Sequence, residues 1–114
     1  MRPSKRTERL YLVDIRDSIE KILSYTSAGR EAFFSDPRTQ DAVLRNIEII
    51  GEAVKGVTDE TRTAHPEVPW REMAGMRDRI IHDYFRVDLD VVWDVVSRDL
   101  PPLREKIGSL LAKP

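Results

Sequence analysis

The sequence predicts an all-α fold of four to five helices packed up and down as a bundle, and three observations carry that expectation. Apolar residues make up 40% and charged residues 34% of the 114 residues, a balance that suits amphipathic helices rather than a disordered chain. The chain has 5 glycines and no Asn-Gly or Asp-Gly pair, so tight β-hairpins lack their turn chemistry. Apolar positions recur at intervals of three and four, not two. The length suits one domain, residues 1–114, with a single core.

The first helix is expected from about Thr7 to Tyr25, where Leu12, Ile15, Ile19 and Ile22 share a face. Ser27-Ala28-Gly29 ends it, with Gly29 available for a left-handed cap. Phe33 and Phe34 fall in the connector and plug the end of the bundle. The second helix starts after Ser35-Asp36-Pro37, with a cap from Asp36 or Ser35 and Pro37 at its first position. Val43, Ile47, Ile50, Val54 and Val57 form its seam, and Gly51 within it implies a close backbone approach.

Thr58 caps a short helical stretch from Asp59 to Ala64, closed by His65-Pro66. Pro69 opens a third long helix that carries Trp70, Met73, Met76, Ile80 and Ile81. Asp88 caps the fourth, which presents Val92, Val96, Leu100, Leu103, Ile107 and Leu110. Pro101 and Pro102 cannot sit in a regular helix interior, so a kink or a restart is expected between Ser97 and Pro102.

Composition also excludes functions. Without cysteine there is no disulfide, thiolate zinc site or cysteine nucleophile. No apolar run approaches the roughly 20 residues of a membrane span, and no secretory segment is visible at the start. A cytoplasmic protein with no membrane partner is expected. A net charge of −1 argues against a general nucleic-acid binder, so any RNA contact must be local. Arg71, Arg77, Arg79, His82 and Arg86 form the best candidate patch, with Glu72, Asp78 and Asp83 among them. His65 reads as a loop histidine, and two histidines seventeen residues apart make a poor zinc site.

Chemistry concentrates between Met76 and Phe85. On a continuous helix Tyr84 would lie about 20° from Arg77, on the face that also carries Met73 and Ile80. An arginine on an apolar stripe needs an anion, from the protein or from a ligand. Asp78 and His82 are four apart, so the carboxylate could hold one imidazole nitrogen and leave the other for proton transfer. His82, however, would lie roughly 140° from Arg77. The two reach one phosphate only if the helix ends near His82, if Arg77 wraps round, or if a second copy completes the site. The sequence reading favours the last, a cleft between two copies. Plainer readings stay open: an interhelical ion pair for Arg77, core packing for Tyr84 and Phe85, a helix-end role for His82, and a surface Arg79–Asp83 pair.

Arg77, four residues, His82, one residue and Tyr84 match an Arg-x4-His-x-Tyr signature, with the acidic Asp78 directly after the arginine. Arg45-Asn46-Ile47, Ile50-Gly51-Glu52-Ala53, His65-Pro66-Glu67-Val68-Pro69-Trp70 and Met73-Ala74-Gly75-Met76 accompany it in order. On these stretches the chain, from roughly Thr7 to Leu110, resembles the HepT-like toxins, a branch of the HEPN superfamily. The paired Pro101-Pro102 departs from that pattern, where one proline is usual.

The resemblance implies a HEPN-like homodimeric bundle with the signature residues of both copies lining a shared cleft. It implies RNA cleavage without metal or other cofactor, by Arg77, His82 and Tyr84 with Asp78 in support. It also implies a minimal nucleotidyltransferase antitoxin as partner, with Tyr84 as the acceptor of AMP. Those roles make chemical sense. RNA brings its own nucleophile, the 2′-hydroxyl, so the protein need only move protons and stabilise charge on phosphorus. An imidazole with a pKa near about 6.5 suits the first task, and a guanidinium fork suits the second. The rival reading is a non-catalytic subunit that binds nucleotides or docks on a nucleotidyltransferase.

Overall fold

The computed structural model describes residues 4–82 and 86–113, without the side chain of His82. Helix α1 (Lys5–Tyr25) is capped by Ser4, whose hydroxyl accepts from the Thr7 backbone N–H at 3.1 Å. Leu12, Ile15, Ile19 and Ile22 are all buried, as their spacing predicts. Thr26 closes the helix by donating through both its N–H and its hydroxyl to the Ile22 carbonyl. Gly29 does not cap α1. It starts α2 (Arg30–Ser35) with φ +98° and ψ −177°, a region essentially closed to residues with a Cβ. The phenylalanine pair therefore sits in a helix and not in a connector. Phe33 is buried and packs on Phe34 and Trp93, each at 5.6 Å between ring centres.

Helix α3 (Pro37–Val54) starts where expected, with Asp36 accepting from Arg38 N–H and Pro37 in the first turn. Val43, Ile47, Ile50 and Val54 are fully buried, and α3 packs most extensively against α1. Its last carbonyls are held by Arg62, which donates from Nη2 to Val54 O at 2.7 Å and from Nε to Val57 O. A cation at a helix C-terminus opposes the dipole there. Arg62 belongs to α4 (Asp59–Ala64), capped by Thr58 as its position suggests. Glu8 of α1 ties the two segments together by accepting from Thr58 N–H at 2.7 Å and from the Thr61 hydroxyl at 2.6 Å. Burial pushes the Glu8 carboxyl up, but these hydrogen bonds outweigh it and hold its pKa below the ordinary value.

The expected third helix is two short ones, α5 (Trp70–Ala74) and α6 (Met76–Ile80), separated at Gly75. Trp70 anchors the first by donating from its indole to His65 O at 3.0 Å. Met73, Met76 and Ile80 are buried. The helix then stops, and Ile81–His82 (β1) pairs antiparallel with Arg86–Val87 (β2), Ile81 opposite Val87 and His82 opposite Arg86. This two-residue ladder lacks the alternation and turn signals by which strands are read, so the sequence gives no sign of it.

Asp88 then caps α7 (Leu89–Asp94), accepting from Asp90 and Val91 N–H. The expected disturbance near the prolines takes the form of a π-helical turn, Val95–Asp99, in which Leu100 N–H reaches back five residues to Val95 O. The helix resumes at once as α8 (Leu100–Ala112), with the prolines in its first turn. There their missing N–H groups cost least, and the wider turn makes room for the rings. Val92, Leu100, Leu103 and Ile107 complete the core, and α8 packs against α1. Among the described residues no helix is long and apolar enough to cross a membrane.

Candidate functional site

Arg77 lies on the edge of the stripe that carries Met73, Met76 and Ile80, three residues that are buried on both sides of the junction at Gly75. Met76 and Ile80 take the core side of α6, and Arg77, Asp78 and Arg79 are all exposed. The arginine is therefore not buried on an apolar face, as the helical reading has it. It lines a cleft of about 420 Å³ between α6 and α3.

The far wall of that cleft is α3, which presents Glu48, Gly51 and Glu52, with Lys55 just past its end. Gly51 is where α3 and α5 come together: a Cβ there would sit 3.5 Å from Ala74 O and 3.9 Å from Met73 O. The backbone approach expected at this glycine is real, yet the distances are ordinary contacts that an alanine would fill. The absent side chain leaves room beside Arg77.

Charges in the cleft are mostly accounted for. Lys55 Nζ lies 3.1 Å from Glu52 Oε1, and Arg45 lies 3.9 Å from Glu48. The Arg77 guanidinium makes no hydrogen bond or ion pair among the described residues, so the plain reading of a structural ion pair finds no partner there. The Asp78 carboxylate likewise accepts no hydrogen bond among them. Arg79 pairs with Asp99 at 3.0 Å, which ties α6 to the π turn; its sequence-expected partner Asp83 lies outside the described residues.

The chain leaves the helix at Ile81, whose backbone is extended at φ −103° and ψ 120°. The four-residue stacking of Asp78 on His82 and the seven-residue alignment of Tyr84 with Arg77 both assume a helix that ends at Ile80. The helix ends at Ile80, two residues before His82, so the 140° separation of Arg77 and His82 on a continuous helix does not apply. The His82 side chain and all of Tyr84 lie outside the described residues. His65 is a loop residue as read, with Nδ1 3.7 Å from Glu67. No group of three or more metal-ligating side chains occurs among the described residues.

The α3 wall escaped the sequence reading of the site. Ile50-Gly51-Glu52-Ala53 accompanies the signature in the sequence, but only a glycine inside an apolar seam hints that it faces the arginine.

Comparison with known proteins agrees with the motif reading. The model of the Ribonuclease HepT-like family matches residues 15–110. The protein named "Probable ribonuclease HepT" from Thermococcus cleftensis is 48% identical over 107 residues, covering 93% of this chain and 97% of that one. "Putative RNase TTE0752" from Caldanaerobacter subterraneus subsp. tengcongensis is 38% identical over 109 residues, 95% of this chain and 97% of that one. A Methanocaldococcus jannaschii protein named "Gamma-glutamylcyclotransferase and putative RNase MJ0434" is 46% identical over 108 residues, which make up 49% of its length. No solved structure matches the chain. With a family match over residues 15–110 and a relative 48% identical along nearly its whole length, the chain belongs to the HepT-like ribonuclease family.

Proposed function

We propose that this ribonuclease is the toxin of a toxin–antitoxin pair, an endoribonuclease that cuts RNA without a metal at a site built on Arg77, His82 and Tyr84. The observation that carries this reading is the Arg77 guanidinium, exposed in a cleft and free of any carboxylate partner among the described residues. A cation left without an internal anion is available to a phosphate, and its fork matches phosphate oxygens two at a time. The chain turns out of α6 only two residues before His82, which gives the imidazole a route to the same phosphate.

The chemistry needs little from the protein. A base takes the proton from the 2′-hydroxyl, and the 2′ oxygen forms its bond to phosphorus. The bond from phosphorus to the 5′ oxygen breaks, and that oxygen receives a proton. The products are a 2′,3′-cyclic phosphate and a 5′-hydroxyl. His82 handles one of these protons. Arg77 offsets the charge that builds on the non-bridging oxygens, with Tyr84 donating to the same phosphate and Asp78 in support.

The active unit on this reading is a homodimer whose two signatures share one cleft. Control comes from a minimal nucleotidyltransferase that transfers AMP to the Tyr84 hydroxyl. The added phosphodiester would occupy the place of the substrate phosphate and draw Arg77 onto the wrong anion. Tyr84, the dimer and the antitoxin are supported by the family resemblance.

The test is cleavage of a labelled RNA by the purified protein in excess chelator. Arg77→Ala and His82→Ala should each lose about 10²–10⁴-fold in rate, with thermal stability unchanged for the exposed Arg77. Either variant cutting at the parental rate would remove that residue from the mechanism.

A further inference from the structure

The Arg77 cleft has an electrostatic shortfall. Glu48 and Glu52 are met by Arg45 and Lys55, which leaves the Arg77 cation facing the Asp78 carboxylate and no net positive charge. Phosphate contacts supply most of the affinity of RNA-binding proteins, and one free arginine facing a carboxylate is a weak hold on a polyanion. The strand needs cations elsewhere.

A second cleft, of about 230 Å³, opens on the other side of α6, against the π turn and α8. Arg79 stands at its edge, about 200° round the helix from Arg77, so a single helix separates the two clefts. The balance here is reversed. Arg79, Arg98 and Lys106 face Glu72 and Asp99. The Arg79–Asp99 pair cancels itself at 3.0 Å. Arg98 and Lys106 are exposed and make no ion pair among the described residues, which leaves two free cations against Glu72. Between them the floor is apolar, built from Pro69, Met76, Pro102 and Leu103. Cations flanking an apolar floor match a nucleotide, whose phosphate seeks the first and whose base face is indifferent to sequence on the second.

We infer that this cleft is a nucleotide subsite for the RNA strand, in which Arg98 and Lys106 each contact a backbone phosphate of the strand that is cut at Arg77. The inference rests on the ribonuclease reading above and deepens it. The subsite gives affinity and register, and it leaves the chemistry to the signature residues. It also gives the paired prolines a use: Pro102 helps form the floor, and the π turn beside them carries Arg98.

The experiment measures binding of a fluorescent, 2′-O-methyl oligoribonucleotide, which cannot be cut by attack of its own hydroxyl. The parent, Arg77→Ala and the double variant Arg98→Ala/Lys106→Ala are compared over a range of salt. Single-stranded contacts contribute about 0.7 each to the slope of log affinity on log salt. The double variant should therefore lose about 1.4 from that slope and bind roughly tenfold more weakly near physiological salt. On a cleavable RNA it should raise KM with kcat within about twofold of the parent, whereas Arg77→Ala lowers kcat. A double variant that binds with the parental slope overturns the subsite, as does a parent that does not bind the oligonucleotide. A double variant that binds RNA normally but escapes inhibition by its protein partner assigns the cleft to that partner and also overturns it. Cleavage in chelator by the parent decides the ribonuclease reading separately.

Discussion

Gly51 offers a perturbation whose size can be worked from the geometry. It lies in the interior of α3, where glycine costs about 1 kcal/mol relative to alanine. An added Cβ would meet Ala74 O at 3.5 Å and Met73 O at 3.9 Å, contacts that neither clash nor leave a void. Nothing steric offsets the helix-propensity gain, so Gly51→Ala should be stabilising by about 0.5–1 kcal/mol. Unfolding entropy of about 2.1 cal/mol/K per residue over 114 residues converts this to a rise in Tm of about 2–4 °C. Cleavage should stay near the parental rate, because one methyl leaves most of the 420 Å³ cleft open. Gly51→Phe should keep the fold and lose at least about tenfold in cleavage, since its ring fills the space beside Arg77. Thermal melts by circular dichroism and a labelled-RNA assay read both effects. A Tm lowered by several degrees in Gly51→Ala would refute the spacing of α3 and α5. Full activity in Gly51→Phe would refute the cleft as the place where RNA is cut.

Two further expectations concern the frame. At Gly56 a Cβ would overlap Cδ2 and Cε2 of the Tyr11 ring, so Gly56→Ala must displace the ring. Such overpacking costs about 1–3 kcal/mol, and Tm should fall where the Gly51 substitution raises it; an unchanged melt would contradict the Tyr11 placement. The Glu8 carboxyl has its pKa held below the ordinary 4.5. Its contribution is thus fully present above that value and lost as pH falls through the depressed one. The stability advantage of the parent over Glu8→Gln, below about 1 kcal/mol after solvent screening, should shrink between pH 6 and pH 3. An advantage that grows on acidification would reverse the sign of the argument.

The parts of the fold that were legible in the sequence are those set by local rules. Asp36, Thr58 and Asp88 cap the helices that follow them because a short oxygen-bearing side chain satisfies first-turn N–H groups whatever lies beyond. The seam of α3 was legible because its spacing has one solution. Gly75 was not, because Met73, Met76 and Ile80 keep helical spacing on both sides of it; only packing reveals two helices. The ladder of Ile81–His82 with Arg86–Val87 is too short for any periodic signal. Pro101 and Pro102 announced a disturbance without its form, since a π turn and a stop make the same demand on the sequence. At the site, motif spacing picked out Arg77, but its exposure in a cleft against α3 emerges only from the packing. The α3 wall needed the tertiary structure.

The most direct measurement places a single ribonucleotide in an otherwise 2′-deoxy oligonucleotide and incubates it with the protein in excess chelator. Attack by the substrate's own hydroxyl predicts one cut, 3′ to that ribose, ending in a 2′,3′-cyclic phosphate and absent with Arg77→Ala. Cutting of the all-deoxy strand, or a dependence on added metal ion, would contradict the account.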